Sequence, residues 1–320
     1  MQLQLGDFHQ GWMYYESRYR EDKKDRASMN VVPPNITTSQ YQGESLKNKR
    51  ILICAEQGIG DEIMFASVLS ELKAQTQSQD VRITLVCDAR LVELFNQSFD
   101  FLTAIPKNPN NCCQTLDNEL DYWLFIGSLP KFYRNDIKDF NQHQPYLKAN
   151  NVLFDKWQER FSKLKHTFNI GISWATISKK KDQSLTLEQL TPILVRANQN
   201  TNIINLQYGD HTKEIQNFKI QTGITIHNWE DCDPLQDLDN FSAQIKALDL
   251  VISIDNSTVH FSGALGTKIF VMLPFNQDWR WAEDRDDSYW YPDVVQLFRQ
   301  QTDGEWDEVI ARVSKTLGEL

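Results

Sequence analysis

The chain has 320 residues, 41% of them hydrophobic and 24% charged. That is a globular balance with length for about two domains at roughly 150 residues each. Forty-three acidic against 33 basic side chains leave a net charge of -10, a surface that repels polyanions and argues against a general nucleic-acid-binding role. The five cysteines have no zinc-like spacing, and Cys54 and Cys87 fall inside apolar runs, as reduced buried thiols do in a cytosol. No run approaches the roughly 18 apolar residues of a membrane span. Asp7 and His9, soon after Met1, interrupt any signal-peptide pattern. A disulfide scaffold, a membrane-spanning protein and a disordered chain are not expected.

Residues 6–26 read as one amphipathic helix, with Phe8, Trp12 and Tyr15 at helical spacing and a charged far end. A loop with Pro33-Pro34 follows, up to Lys49. Arg50 to Ala55 is a continuous apolar run, the pattern of a strand buried on both faces of a parallel sheet. After a turn at Gly58 and Gly60, Asp61 opens a helix whose apolar face is Met64, Phe65, Val68, Leu69 and Leu72. Strands are expected at 81–87 and 122–126, with a helix at 89–96. After a helix at 151–165 the pattern restarts, with strands at 168–173, 202–206, 249–254 and 268–273. Helices are expected at 187–197, 241–248, 257–265 and 306–317. Two successive β/α runs predict two Rossmann-like domains facing each other across a cleft. No tandem repeat of 20–50 residues is visible.

Open α/β sheets bind ligands outside the carboxyl ends of their strands, which directs attention to three loops. In Glu56 to Asp61 both the GxGxxG dinucleotide fingerprint and the P-loop are missing. Asp61 at a helix start is stabilised as a carboxylate by the helix dipole, so it suits either a general base or a plain N-cap. In Ser253 to Gly266, the helix start with Ser257 and Thr258 suits an anion, with His260 near its first turn. Small residues such as Gly263 would let a ligand or the sheet approach. A capped core helix with a satisfied histidine fits the same residues. In Trp174 to Ser184, three consecutive lysines make a local positive patch that suits a diphosphate or a solvated surface loop. The six histidines show no HxH or HExxH spacing, so no metal site is expected. Asp231-Cys232-Asp233 has a metal-compatible DxD spacing but lies in a strongly acidic stretch, where a solvated face is the plainer reading. The aromatic groups Trp279-Arg280-Trp281 and Tyr289-Trp290-Tyr291 suit stacking on a sugar or base, or packing of the last helix.

In this order, several segments resemble the glycosyltransferase domain that bacteria fuse behind tetratricopeptide repeats, a relative of the ADP-heptose lipopolysaccharide heptosyltransferases. They are Gly43-Glu44 to Phe65, Gly127 to Pro130, Gly171 to Trp174, Asn205 to Gln207, Asp255 to Gly266, Leu273 to Trp281 and Leu297 to Gln300. The resemblance runs from about residue 43 to the C-terminus. Gly6-Asp7-Phe8, Gly11-Trp12 and Tyr15 to Arg18 resemble the last helix of such a repeat array, taken here as a remnant packed on the domain.

The resemblance implies the GT-B fold: residues 1–42 as helix and linker, 43–165 as an acceptor domain, and 166–320 as a nucleotide-sugar donor domain. It implies Asp61 as catalytic base, with Gln57, Gly58 and Gly60 as its acceptor-side loop. It implies a donor site of Ser173, Trp174, Lys181, Gln207, Asp255, Asn256, Ser257, Thr258, His260 and Gly263. Asn256 stands where the family usually has threonine. The expected activity is metal-independent, inverting sugar transfer from a nucleotide-diphosphate donor to a hydroxyl of a glycan, a lipid-linked glycan or a protein, with no cofactor. The expected location is the cytoplasm, with room for peripheral attachment to the inner membrane. A nucleotide-sugar epimerase and a non-catalytic sugar- or partner-binding scaffold are the rival readings. An NAD-dependent oxidoreductase is disfavoured by the missing glycine fingerprint.

Overall fold

The computed structural model describes residues 2–19, 36–107, 119–140, 144–176 and 183–320. The expected charged helix end at 20–26, Pro33-Pro34 and Lys179 to Lys181 lie outside these residues. The chain forms two compact units, Met1–Lys148 and Ala149–Leu320.

The first unit begins with α1 (Phe8–Tyr15), which passes into a 3-10 turn (Glu16–Tyr19) within the stretch expected from the sequence as one helix. The Asp7 side chain caps α1 by accepting the Gln10 N–H at 3.2 Å. The rest of the unit is β1 (Arg50–Cys54), α2 (Ile59–Ala66), α3 (Leu69–Thr76), β2 (Arg82–Cys87), α4 (Val92–Ser98), β3 (Leu102–Pro106), β4 (Tyr122–Phe125) and α5 (Pro130–Tyr133). Among the described residues its four strands are all parallel, in the order β3-β2-β1-β4. Ile51, Leu52 and Ile53 of β1 are buried, as a strand covered on both faces must be. The single helix expected over 61–72 is two, α2 and α3. At their junction the Ser67 hydroxyl bonds back to the Met64 carbonyl at 2.7 Å and receives Arg134 Nη1 at 2.8 Å. Helix α1 buries Phe8 and Trp12 on this unit. The Trp12 indole N–H donates to the Arg134 carbonyl at 2.6 Å, and the Phe8 ring lies 4.6 Å from that of Phe140.

The second unit is α6 (Asn151–Ser162), β5 (Phe168–Ser173), α7 (Thr191–Ala197), β6 (Thr201–Asn205), α8 (Thr212–Thr222), β7 (Ile226–His227), α9 (Leu238–Lys246), β8 (Leu250–Ile254), α10 (Ser257–Leu265), β9 (Ile269–Leu273), β10 (Val295–Arg299) and α11 (Asp307–Leu317). Its sheet is parallel throughout, in the order β10-β9-β8-β5-β6-β7. Counted from β5, that is the Rossmann order of six strands. The boundary between units falls before α6, not after residue 165 as expected from the sequence. Trp157 on α6 is fully buried, and its indole N–H donates to Asn240 Oδ1 on α9 at 2.8 Å. Arg160 forks onto Asp231 with two bonds of 2.8 Å, and Lys156 adds a third at 2.9 Å. These ties make α6 part of the second unit.

Helix α10 runs from an Asn256 cap to Gly266, which is left-handed at φ 75° and closes the helix. Gly263 on α10 faces the Tyr291 ring so closely that a Cβ would overlap it. Gly263→Ala should destabilise the second unit by about 1–3 kcal/mol through overpacking. Equilibrium urea unfolding measures this, and an unchanged midpoint would contradict the packing described.

Candidate functional site

Each sheet has one place where the strand order reverses, and open α/β sheets bind ligands outside the carboxyl ends at that place. In the second unit it lies between β5 and β8. There the sequence-expected residues Ser173, Gln207 and Asn256 form one buried hydrogen-bonded knot. Gln207 Oε1 accepts the N–H groups of Trp174 (2.8 Å) and Ala175 (2.7 Å) and the Ser173 hydroxyl (3.2 Å). Its Nε2 donates to the Ala175 and Tyr208 carbonyls at 3.1 and 3.2 Å. Asn256 Nδ2 donates to Ser173 Oγ at 2.8 Å, while its Oδ1 caps α10 by accepting the Thr258 N–H at 3.0 Å. The ends of β5, β6 and β8 are thereby fixed together, and α10 starts from the knot.

Several expected donor residues have another occupation. Trp174 is fully buried in the core, and its indole N–H donates to Glu214 Oε1 at 3.2 Å. The Gln207 amide is committed to the loop after β5. His260, 4% exposed, pairs its Nδ1 with the Tyr291 hydroxyl at 2.9 Å and stacks on Trp281 at 5.9 Å. Position 263 is glycine to admit the Tyr291 ring. Helical geometry brings His260 to the buried side of α10, an orientation that residue identity alone could not reveal.

The groups nearest the start of α10 are Asp255, Ser257 and Thr258. The Asp255 carbonyl accepts Gln183 Nε2 at 2.7 Å, and Gln183 is itself 2% exposed. Ser257 is half-buried at the first helical position, where its N–H has no intrahelical acceptor. Thr258 Oγ1 and Ser262 Oγ are buried without a hydrogen-bond partner among the described residues. Lys181 lies outside the described residues. Of the described residues on either side of it, Ala175 bonds to Gln207 and Gln183 bonds to the Asp255 carbonyl. Sequence reasoning missed Gln183, whose role depends on a contact 72 residues away.

Beside the ends of β6 and β7 lies a cavity of about 320 Å3, bordered by Asn205, Asn228, Trp229, Cys232 and Gln244. Burial pushes the Cys232 thiol up to about 12, so it is an un-ionised lining group near neutral pH. Asp231 of the DxD spacing is held by Arg160 and Lys156, which keep its carboxyl well below the usual range, and Asp233 caps the Leu235 N–H at 2.8 Å. The DxD spacing therefore belongs to a helix tie and a turn. Among the described residues, no group of three or more His, Cys, Asp or Glu is arranged to hold a metal ion.

In the first unit the order reverses between β1 and β4. Asp61 is the third residue of α2, not its cap. Its Oδ2 accepts the N–H of Gly58, the residue before the helix, at 3.1 Å. Gly60 is the second residue of α2, and Gln57 holds a left-handed backbone at φ 63°. The next residue, Glu62, is buried. It pairs with Lys107, accepts the Asp88 N–H at 2.9 Å, and is raised by desolvation, which Lys107 opposes.

The reversal point itself holds Glu56, which has no exposed surface. Its carboxylate accepts Arg18 Nε at 2.9 and 3.1 Å and the Gly127 N–H at 3.1 Å. Burial raises the Glu56 carboxyl, and Arg18 is the counter-charge that opposes the rise. Arg18 also reaches Glu16 and Ser128 Oγ, each at 3.0 Å, and Lys131 holds Glu16 at 2.8 Å. Sequence reasoning missed this ionic cluster, because its members come from 16–18, 56 and 127–131.

No family model matches this chain. Protein FlbA of Caulobacter vibrioides is 28% identical over 335 residues, covering 98% of this chain; the chain spans about half (53%) of FlbA. Among solved structures, a glycosyl transferase family 9 protein from Veillonella parvula superposes with a TM-score of 0.59 at 12% identity, covering 87% of this chain and 99% of that one. The ADP-heptose lipopolysaccharide heptosyltransferase II of E. coli gives 0.57 at 11%, covering 84% and 98%. The E. coli heptosyltransferase WaaC with ADP gives 0.54 at 10%, covering 84% and 99%. The chain has the GT-B fold. Its two Rossmann-like units and N-terminal helix are the architecture expected from the sequence.

Gln207→Leu removes the acceptor of two main-chain N–H groups and a hydroxyl, and should cost about 2–4 kcal/mol. Urea unfolding checks this; a variant as stable as the parent would mean that the knot is not what holds the loop after β5.

Proposed function

We propose that this protein is a glycosyltransferase that moves a sugar from a nucleotide-diphosphate donor to an acceptor hydroxyl, with the second unit as donor domain and the first as acceptor domain. The observation carrying this reading is the start of α10 at a strand-order reversal, held rigid by the Ser173–Gln207–Asn256 knot. Preorganised N–H donors at a helix start are what a leaving diphosphate needs as its charge grows, and each is worth roughly 2–4 kcal/mol in a dry site. Ser257 and Thr258 would meet the phosphates, Lys181 would add charge, and the cavity beside Trp229 has room for the nucleoside. His260 would act through its place beneath the turn.

In the reaction, Asp61 takes the proton from the acceptor hydroxyl as that oxygen bonds to the anomeric carbon. The bond from that carbon to the diphosphate oxygen breaks, the nucleoside diphosphate departs, and the anomeric configuration inverts. Asp61 suits this role because the Gly58 N–H holds its carboxylate in place at the first turn of α2. Metal independence belongs to this proposal, as does the choice between hexose and heptose.

Nucleoside diphosphates and nucleotide sugars screened by thermal shift should single out one donor class, through stabilisation by binding to the folded state. With that donor and a responsive acceptor, Asp61→Asn should cut turnover by about 10²-fold or more while leaving donor affinity nearly unchanged. Undiminished turnover would remove Asp61 from the chemistry. A second reading, a nucleotide-binding scaffold without transfer, is favoured by the number of expected donor side chains committed internally. It predicts the thermal shift without product from any acceptor.

A further inference from the structure

Three contacts run in sequence from the N-terminal segment to Asp61. Arg18 neutralises Glu56, the first residue of the loop Glu56 to Asp61. Gln57 donates its side-chain amide to the Tyr15 hydroxyl. Gly58 then donates its N–H to Asp61 Oδ2. Gln57 is the strained link. A residue with a Cβ at φ 63° sits in a region that L-residues avoid, and such backbone persists where its surroundings over-determine it. The surroundings here come from α1 and the turn after it.

Two further observations show that the arrangement is built. Gly127 has no room for a Cβ, because the Glu56 carboxylate occupies that space, with Arg18 Nη2 3.2 Å away. The Arg18 guanidinium lies 4.3 Å above the Tyr15 ring, so the two residues brace each other. Burial above all, with smaller contributions from the charges of Glu56 and Asp61, holds the Tyr15 hydroxyl protonated against the pull of Arg18.

We propose that Tyr15 and Arg18 are positioning residues for the reaction, holding the Glu56 to Asp61 loop so that the Asp61 carboxylate stays at a fixed place at the start of α2. The N-terminal segment is then a working wall of the first unit's site, not a remnant. The inference rests on the role proposed for Asp61, but its physical content, a loop held from α1, stands apart from that role.

The test uses two variants of the full chain. Tyr15→Phe deletes one oxygen and keeps the ring. Arg18→Met with Glu56→Gln removes both buried charges together, so that no unpaired ion remains. Hydrogen–deuterium exchange of the peptide spanning 55–62 should speed up by about 10-fold or more in the double variant, with peptides of the second unit unchanged. Under the assay established for the parent, both variants should lose about 10-fold in kcat or more with acceptor KM within about twofold, the pattern of a group acting in the transition state. In an Asp61→Asn background, Tyr15→Phe should have little further effect, because residues that act through one group are not additive. Unchanged exchange over 55–62 overturns the inference, and so does full additivity with Asp61→Asn. If the parent transfers no sugar yet exchange over 55–62 rises, the transferase reading falls and the holding of the loop stands.

Discussion

A carboxylate with no exposed surface cannot remain charged without a counter-ion, because taking an ion out of water costs several kcal/mol even after relaxation. Glu56 is such a group, and it stands at the end of β1 where the strand order of the first unit reverses. In related architectures that position is where a ligand's polar atoms would be received. Here the chain brings its own guanidinium from residue 18. Much else in the first unit follows: the missing side chain at 127, the tie of Lys131 to Glu16, and the seating of α1 through Trp12 and Phe8. Residues 8–18 are therefore integral to the first unit.

The second unit solves the equivalent problem with neutral groups. One amide oxygen gathers three donors from the end of β5 and the loop after it, and one asparagine both caps α10 and reaches across to β5. The departure at position 256, asparagine where threonine is usual in the family the sequence resembles, thus has a geometric account. The longer amide spans from the cap to Ser173 Oγ, which a threonine hydroxyl is too short to do while also accepting the Thr258 N–H.

Much of the fold was legible in the sequence because burial on both faces leaves a plain mark. Ile51 to Ile53 and Leu250 to Ile252 are unbroken apolar runs, Ile170 to Ile172 is interrupted only by Gly171, and all lie in inner strands. The elements missed lack that mark. β3 is a short edge strand ending in proline, β10 is an edge strand behind an aromatic loop, and α8 buries only Ile215 and Phe218. The candidate site was half legible. The loops at the carboxyl ends were identifiable from their small polar residues, but side-chain direction was not. His260 and Trp174 carry groups that could bind a ligand, and the tertiary fold turns them inward. Arg18, Tyr15, Glu56 and Gln183 were invisible for the opposite reason: their partners are 38 to 72 residues or more away in the chain.

The contrast between the two frames reaches beyond geometry. Ser173, Gln207 and Asn256 contain no ionisable side chain, so the knot they form neither titrates nor weakens by Debye screening. The Arg18–Glu56–Glu16–Lys131 cluster is made entirely of charges. Acid therefore acts on the two frames unequally: it has carboxylates to protonate in the one and nothing to titrate in the other.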